Sequence, residues 1–177
     1  MIGGEALATT MRVGFSRASM VMIDSRSVVA SASPPIMYPD CYGIDMSQLG
    51  RFIAFEAAVA LAKERGVAQV FEEIEAKCRE QKDLEPSRMK NHVAMLYGLF
   101  TLGEIEGKVA ELIRSKSLEW PGEIKVVYQS VEGLRSAMPD HSGDWYFTGN
   151  YPTPGGYRVL NTAYLKWRSG DHGGRAY

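Results

Sequence analysis

Apolar residues recur at helical spacing through the middle of the chain and give way to shorter β-like runs on either side. From Ser47, which offers a capping side chain, Leu49, Phe52, Ile53, Ala57 and Leu61 share one face until Gly66 supplies a stop. A second stripe of Val67, Val70, Phe71, Ile74 and Cys78 predicts a helix over 67–80. Glu85-Pro86-Ser87 starts a third, because proline suits a first helical turn, and Met89, Val93, Leu96 and Tyr97 form its apolar face. Thr101 and Glu104 have capping-box spacing ahead of a fourth helix, striped by Ile105, Val109, Leu112 and Ile113. The opposite faces carry mixed charge, as solvated helices do.

Residues 28–32, small and β-branched, predict a buried strand that stops where Pro34-Pro35 removes ladder donors. Residues 33–45 hold Pro34, Pro35, Pro39, Gly43, Asp40 and Asp45, and are expected to be an ordered irregular loop. Ahead of them the chain has no clean period; a helix over about 6–20 is the reading, weakened at Gly14 by roughly 1 kcal/mol relative to alanine. Residues 124–128 predict a strand, after which Ser130 caps a short helix through Val131, Leu134 and Met138, closed by Pro139. Pro154-Gly155-Gly156 reads as a turn with no helical pattern behind it, and 169–177 as a mobile tail. The expected class is α/β with a helical insertion.

Composition trims the functional classes. Over 177 residues, 20 basic and 21 acidic side chains leave a net charge of −1, without the clustered positive charge of a nucleic-acid or anionic-membrane surface. No apolar run approaches the roughly 20 residues that span a bilayer. Gly3, Gly4 and Glu5 stand where a signal peptide has basic residues, and Cys41 and Cys78 follow no spacing pattern; reduced thiols in the cytoplasm are expected. His92, His141 and His172 share no ligand spacing with each other or with the cysteines. Cys78 lies on an apolar stripe, and Cys41 has no base near it in sequence. Trp145, Tyr146, Phe147 and Tyr151 read as core packing, because no basic residues interleave with them for base stacking.

Three segments carry more specific information. Ser31-Ala32-Ser33-Pro34-Pro35-Ile36-Met37-Tyr38-Pro39-Asp40-Cys41-Tyr42-Gly43-Ile44-Asp45, followed by Phe52-Ile53-Ala54, resembles the strand-then-loop signature of amidophosphoribosyltransferases. Tyr128-Gln129-Ser130-Val131-Glu132-Gly133-Leu134 resembles a short strand and helix near that family's C-terminus. Phe147-Thr148-Gly149-Asn150-Tyr151-Pro152-Thr153 resembles its closing element, and the three occur in the family order.

The resemblance implies a partial type I phosphoribosyltransferase-like domain over 1–66, a helical insertion over 67–118 that is longer than the common short form, a C-terminal strand–helix and aromatic closing element over 119–168, and the tail. It implies a parent reaction in the first step of purine biosynthesis, the glycosyltransferase step that makes phosphoribosylamine from glutamine and phosphoribosyl pyrophosphate. Mg²⁺ assists there at the pyrophosphate, and the family forms homo-oligomers. The family's phosphate loop, with its acidic pair and following hydroxyls, falls on residues 1–10. Thr9 and Thr10 fit the hydroxyl positions and are the candidate substrate-binding residues, beside their plainer reading as a helix-capping turn. The acidic pair falls on Gly3-Gly4, so no catalytic residue and no metal ligand is assigned. Asp45 is read as part of a helix start rather than a ligand. Residues 139–146 contain no cysteine, so the iron–sulfur cluster of some members is not expected. Nothing here corresponds to the glutaminase domain or to the front half of the phosphoribosyltransferase domain. The expectation is therefore a chain inactive alone and completed by another, or else a non-catalytic remnant serving as an interaction module.

Overall fold

The computed structural model describes residues 10–13, 16–23, 26–42, 46–117, 122–141 and 143–171. In chain order these form β1 (Thr10–Val13), β2 (Ser16–Ile23), β3 (Arg26–Ser31), α1 (Ile53–Glu64), α2 (Val70–Glu80), α3 (Ala94–Tyr97), α4 (Leu102–Ser117), β4 (Glu123–Tyr128), α5 (Val131–Ala137), α6 (Trp145–Thr148) and α7 (Pro154–Ser169). The class is mixed α/β, and no helix among the described residues is long and apolar enough to cross a membrane. The chain divides into two compact units, one from the residues up to 35 with 102–140, the other from 36–101 with the residues after 140.

The first unit is a sheet of order β1-β2-β3-β4 with α4 packed on β4. The first three strands are antiparallel neighbours; β3 and β4 run parallel, in register from Arg26 opposite Glu123 to Ser31 opposite Tyr128. A parallel pair needs a long crossover, and α4 is the helix that leads back into it. Along β4, Val126 is buried and Val127 exposed, the alternation of a strand covered on one face. Glu106 on α4 accepts a hydrogen bond from the Tyr128 backbone N–H at 2.6 Å, fixing the end of β4 to the helix above it. Ser130 caps α5 as its sequence indicates, its Oγ accepting from the Gly133 N–H at 2.9 Å. The helix expected over about 6–20 is replaced by β1 and the start of β2. Only two positions separate Val13 from Ser16, and β2 finds ladder partners on both sides, which outweighs a local helical preference.

The second unit is helical and is built around aromatic rings. Trp167 of α7 stands edge-on to Phe55 of α1, with ring centroids 4.8 Å apart, and also meets Phe71 of α2 and Tyr164. The Tyr164 hydroxyl donates to the Phe71 carbonyl at 3.0 Å. Arg168 reaches across to Glu72 and Glu75 at 2.9 and 2.8 Å, joining α7 to α2.

Three helical expectations change here. The helix expected from Ser47 begins at Ile53: Leu49–Arg51 is a tight 3₁₀ turn, and Phe52 is extended. Gly50 allows the turn to lie against Trp167, because a Cβ there would sit 3.2 Å from that ring. The third helix is two pieces, a 3₁₀ turn at Pro86–Arg88 and the single turn of α3, with Met89 extended between them. The Asn91 Oδ1 accepts from the Ala94 N–H at 2.9 Å and so starts a new turn rather than continuing the old one. Finally, Pro154-Gly155-Gly156 opens α7, with Thr153 before it and proline in the first turn. Gly66, at φ +69°, does end α1 as expected.

Candidate functional site

β3 ends at Ser31, and the buried Pro34 and Pro35 keep the following chain out of any ladder. Within the second unit, residues 36–42 are then held by partners distant in sequence. The Met37 and Tyr38 N–H groups both donate to the Tyr146 carbonyl, at 2.9 and 3.0 Å. Tyr97 donates through its hydroxyl to the Met37 carbonyl at 2.7 Å, and Tyr151 to the Pro39 carbonyl at 2.9 Å. The Asp40 carboxylate accepts from the Tyr146 hydroxyl at 3.0 Å on one oxygen and from the Tyr42 N–H at 3.0 Å on the other. Asn91 donates to the Gly149 carbonyl at 3.4 Å, and Gly149 lies close against the Tyr38 ring. Two of the three signature segments, 31–42 and 147–153, therefore meet through hydrogen bonds made by residues within them or immediately beside them.

The electrostatics of this cluster suit anchoring rather than proton transfer. Burial pushes the Tyr38 phenol up to about 12, and burial together with the Asp40 carboxylate does the same for Tyr146. Tyr97 and Tyr151 are raised further, again first by burial. All four keep their protons at neutral pH, and Tyr97, Tyr151 and Tyr146 donate to the carbonyl and carboxylate acceptors they face. Cys41 is buried, and burial with the neighbouring Asp40 charge raises its thiol, so it is not poised as a nucleophile. Tyr42, two-thirds exposed, is the last described residue of the loop before 46. Asp45 lies outside the described residues.

In the first unit the ends of the parallel pair, Ser31 and Tyr128, lie side by side, so the start of one signature segment adjoins the start of another. The carboxyl ends of parallel strands are where α/β sheets commonly bind ligands. Ser31 and Ser33 are linked there by their hydroxyls at 3.3 Å, and Gln129 accepts from the Ser130 N–H at 2.9 Å. Thr10 opens β1 opposite Ser19, which itself faces Ala30, which faces Val127; these four make one row across the sheet. Two strand spacings put Thr10 roughly 10 Å from Ala30. Thr9, Gly3 and Gly4 lie outside the described residues. Thr10 leads into a strand, so the helix N-terminus expected behind it is absent. Among the described residues no three His, Cys, Asp or Glu side chains are grouped to hold a metal ion.

Sequence reading undervalued Tyr38, Asn91 and Asn161, whose importance comes from what they meet across the fold. Asn161 is a buried amide on an otherwise apolar face of α7. Compared with known proteins, the chain matches no family model, no curated protein and no solved structure.

Proposed function

We propose that this chain is the C-terminal part of an amidophosphoribosyltransferase and is inactive in isolation. The observation that carries the reading is the interlock of residues 37–40 with 146–151: two segments that resemble the family's, in the family's order, hold each other in place through hydrogen bonds. In the parent reaction ammonia released from glutamine displaces pyrophosphate from phosphoribosyl pyrophosphate, forming phosphoribosylamine. The ordered loop supplies part of the wall of such a site, and the remaining groups come from a completing chain. Mg²⁺ enters this chemistry with the pyrophosphate. Gly3 and Gly4, aligned with the family's acidic pair, offer it no carboxylate, so no step through the metal is assigned to this chain.

Isothermal titration calorimetry with phosphoribosyl pyrophosphate and Mg²⁺ tests the reading. The isolated chain should give no saturable heat, and a mixture with a separately expressed glutaminase and front half should bind and form phosphoribosylamine. A mixture that neither binds nor turns over would remove the split-enzyme reading. It would leave the alternative, a non-catalytic remnant acting as an interaction module, which the Gly3-Gly4 replacement favours.

A further inference from the structure

A cleft of about 460 Å³ runs between the C-terminal end of α2 and the middle of α7, within the helical unit. Its lining combines Arg158, Lys82 and Asp83 with the apolar Leu84 and Leu165 and the amide of Asn161. Two buried amides border it, and they differ. Gln81 is committed at both ends: its Nε2 donates to the Lys77 carbonyl at 3.4 Å, and its Oε1 accepts from the Lys90 N–H at 2.6 Å. Asn161 is 5% exposed, and its Nδ2 has no hydrogen-bond partner among the described residues. Its Oδ1 accepts from the Cys78 thiol at 3.5 Å. Burial, and next the Glu75 charge, push that thiol up to about 12, so it keeps its proton at neutral pH and donates to the amide oxygen, with the Nδ2 end left over. A buried donor without an acceptor is costly, and a bound acceptor is one of the few arrangements that explains it.

We propose that this cleft binds a small aliphatic carboxylate, whose oxygens accept from Asn161 Nδ2 and pair with Arg158 and Lys82 while its hydrocarbon lies on Leu84 and Leu165. Two cationic side chains against one carboxylate, Asp83, leave a net charge of +1 in the lining, which matches a monoanion better than a phosphate dianion. The apolar side of the cleft selects a ligand with a hydrocarbon portion over a bare ion. The site is separate from the tyrosine-bound loop, and it does not rest on the family reading.

The test is titration of the ¹⁵N-labelled full chain with 4-methylvalerate, with 4-methylpentanol and inorganic phosphate in parallel, following the Asn161 side-chain amide resonances. The carboxylate should shift them saturably with a dissociation constant of about 1 mM or below. Arg158→Gln and Lys82→Gln, both at exposed positions, should each weaken binding by about tenfold. No saturable shift by about 10 mM would overturn the proposal. So would equal affinity for the alcohol, tighter binding of phosphate, or an affinity that neither substitution moves.

Discussion

Gly149 belongs to the Phe-Thr-Gly segment, and its replacement by alanine gives a calculable loss. The residue is left-handed, at φ +70°, where an L side chain costs about 1–2 kcal/mol. A Cβ there would also lie 2.9 Å from two atoms of the Tyr38 ring and would collide with Asn91 Nδ2. Tyr38 is buried and braced edge-on by Tyr97, with centroids 5.3 Å apart, so the ring has little room to retreat. Displacing Asn91 loses its bond to the Gly149 carbonyl. Overpacking of this kind costs about 1–3 kcal/mol, and the two contributions sum to about 2–5 kcal/mol.

Gly66 supplies the internal control. It is left-handed at φ +69° in the same unit, but a Cβ there meets nothing within 4 Å, so Gly66→Ala carries the conformational cost alone. Urea unfolding of both variants, followed by tryptophan fluorescence, should separate them by about 1–3 kcal/mol. With a slope near 2 kcal/mol/M, that is a difference in midpoint of about 0.5–1.5 M. Equal losses, within about 0.3 kcal/mol, would refute the reasoning, because they would mean that Tyr38 and Asn91 do not press on this backbone.

Three further outcomes follow from the helical unit. Gly156→Ala should destabilise by about 1–2 kcal/mol in the same assay even though alanine is the better helix former, because its Cβ would enter the Tyr151 ring and side-chain stem. Arg168→Gln should cost about 1–2 kcal/mol at pH 7, since it removes the fork to Glu72 and Glu75. Glu75 is held below its usual value, first by its hydrogen bond from Arg168 and then by Arg79, so this stabilisation is complete above about 4.5 and is lost as the pH falls through the folded-state value. The gap between wild type and Arg168→Gln should therefore narrow as the pH falls below about 4.5; a gap independent of pH would count against the ion pair. Both cysteines are buried with raised thiols, so Ellman's reagent at pH 8 should label neither in the native chain and both in urea. Rapid labelling of Cys41 in the native chain would show the loop to be open.

What the amino-acid order announces here is whatever depends on near neighbours. The stripe of Val70, Phe71, Ile74 and Cys78 reports α2 because burial on one helical face leaves a period. Ser130 announces α5 because its cap is made three residues away. The misreadings have two origins, a local period passed over behind a turn-like start and a local signal overruled by a distant contact. Pro154-Gly155-Gly156 looks like a turn, yet the spacing of Leu160, Ala163, Tyr164 and Trp167 behind it is helical, and Gly156 is there to admit the Tyr151 ring. β2 shows no alternation and becomes a strand because β1 and β3 flank it.

The candidate loop follows the same logic more sharply. Prolines mark 33–42 as irregular, but irregular backbone must find its hydrogen bonds elsewhere. It finds them in the Tyr97 and Tyr151 hydroxyls, the Tyr146 carbonyl and the Asp40 carboxylate, which accepts from the Tyr42 N–H. No period encodes which carbonyl a phenol will reach more than a hundred residues away. The two segments are separate strings in the sequence, and what joins them is visible only in the fold: residues 147–153 carry Tyr151 and directly follow Tyr146, and both hold 37–40 in place. Removing the Tyr151 hydroxyl would therefore act on the Pro39 carbonyl rather than on any neighbour of Tyr151 in sequence, and that displacement of effect is why this part of the site could not be read from order alone.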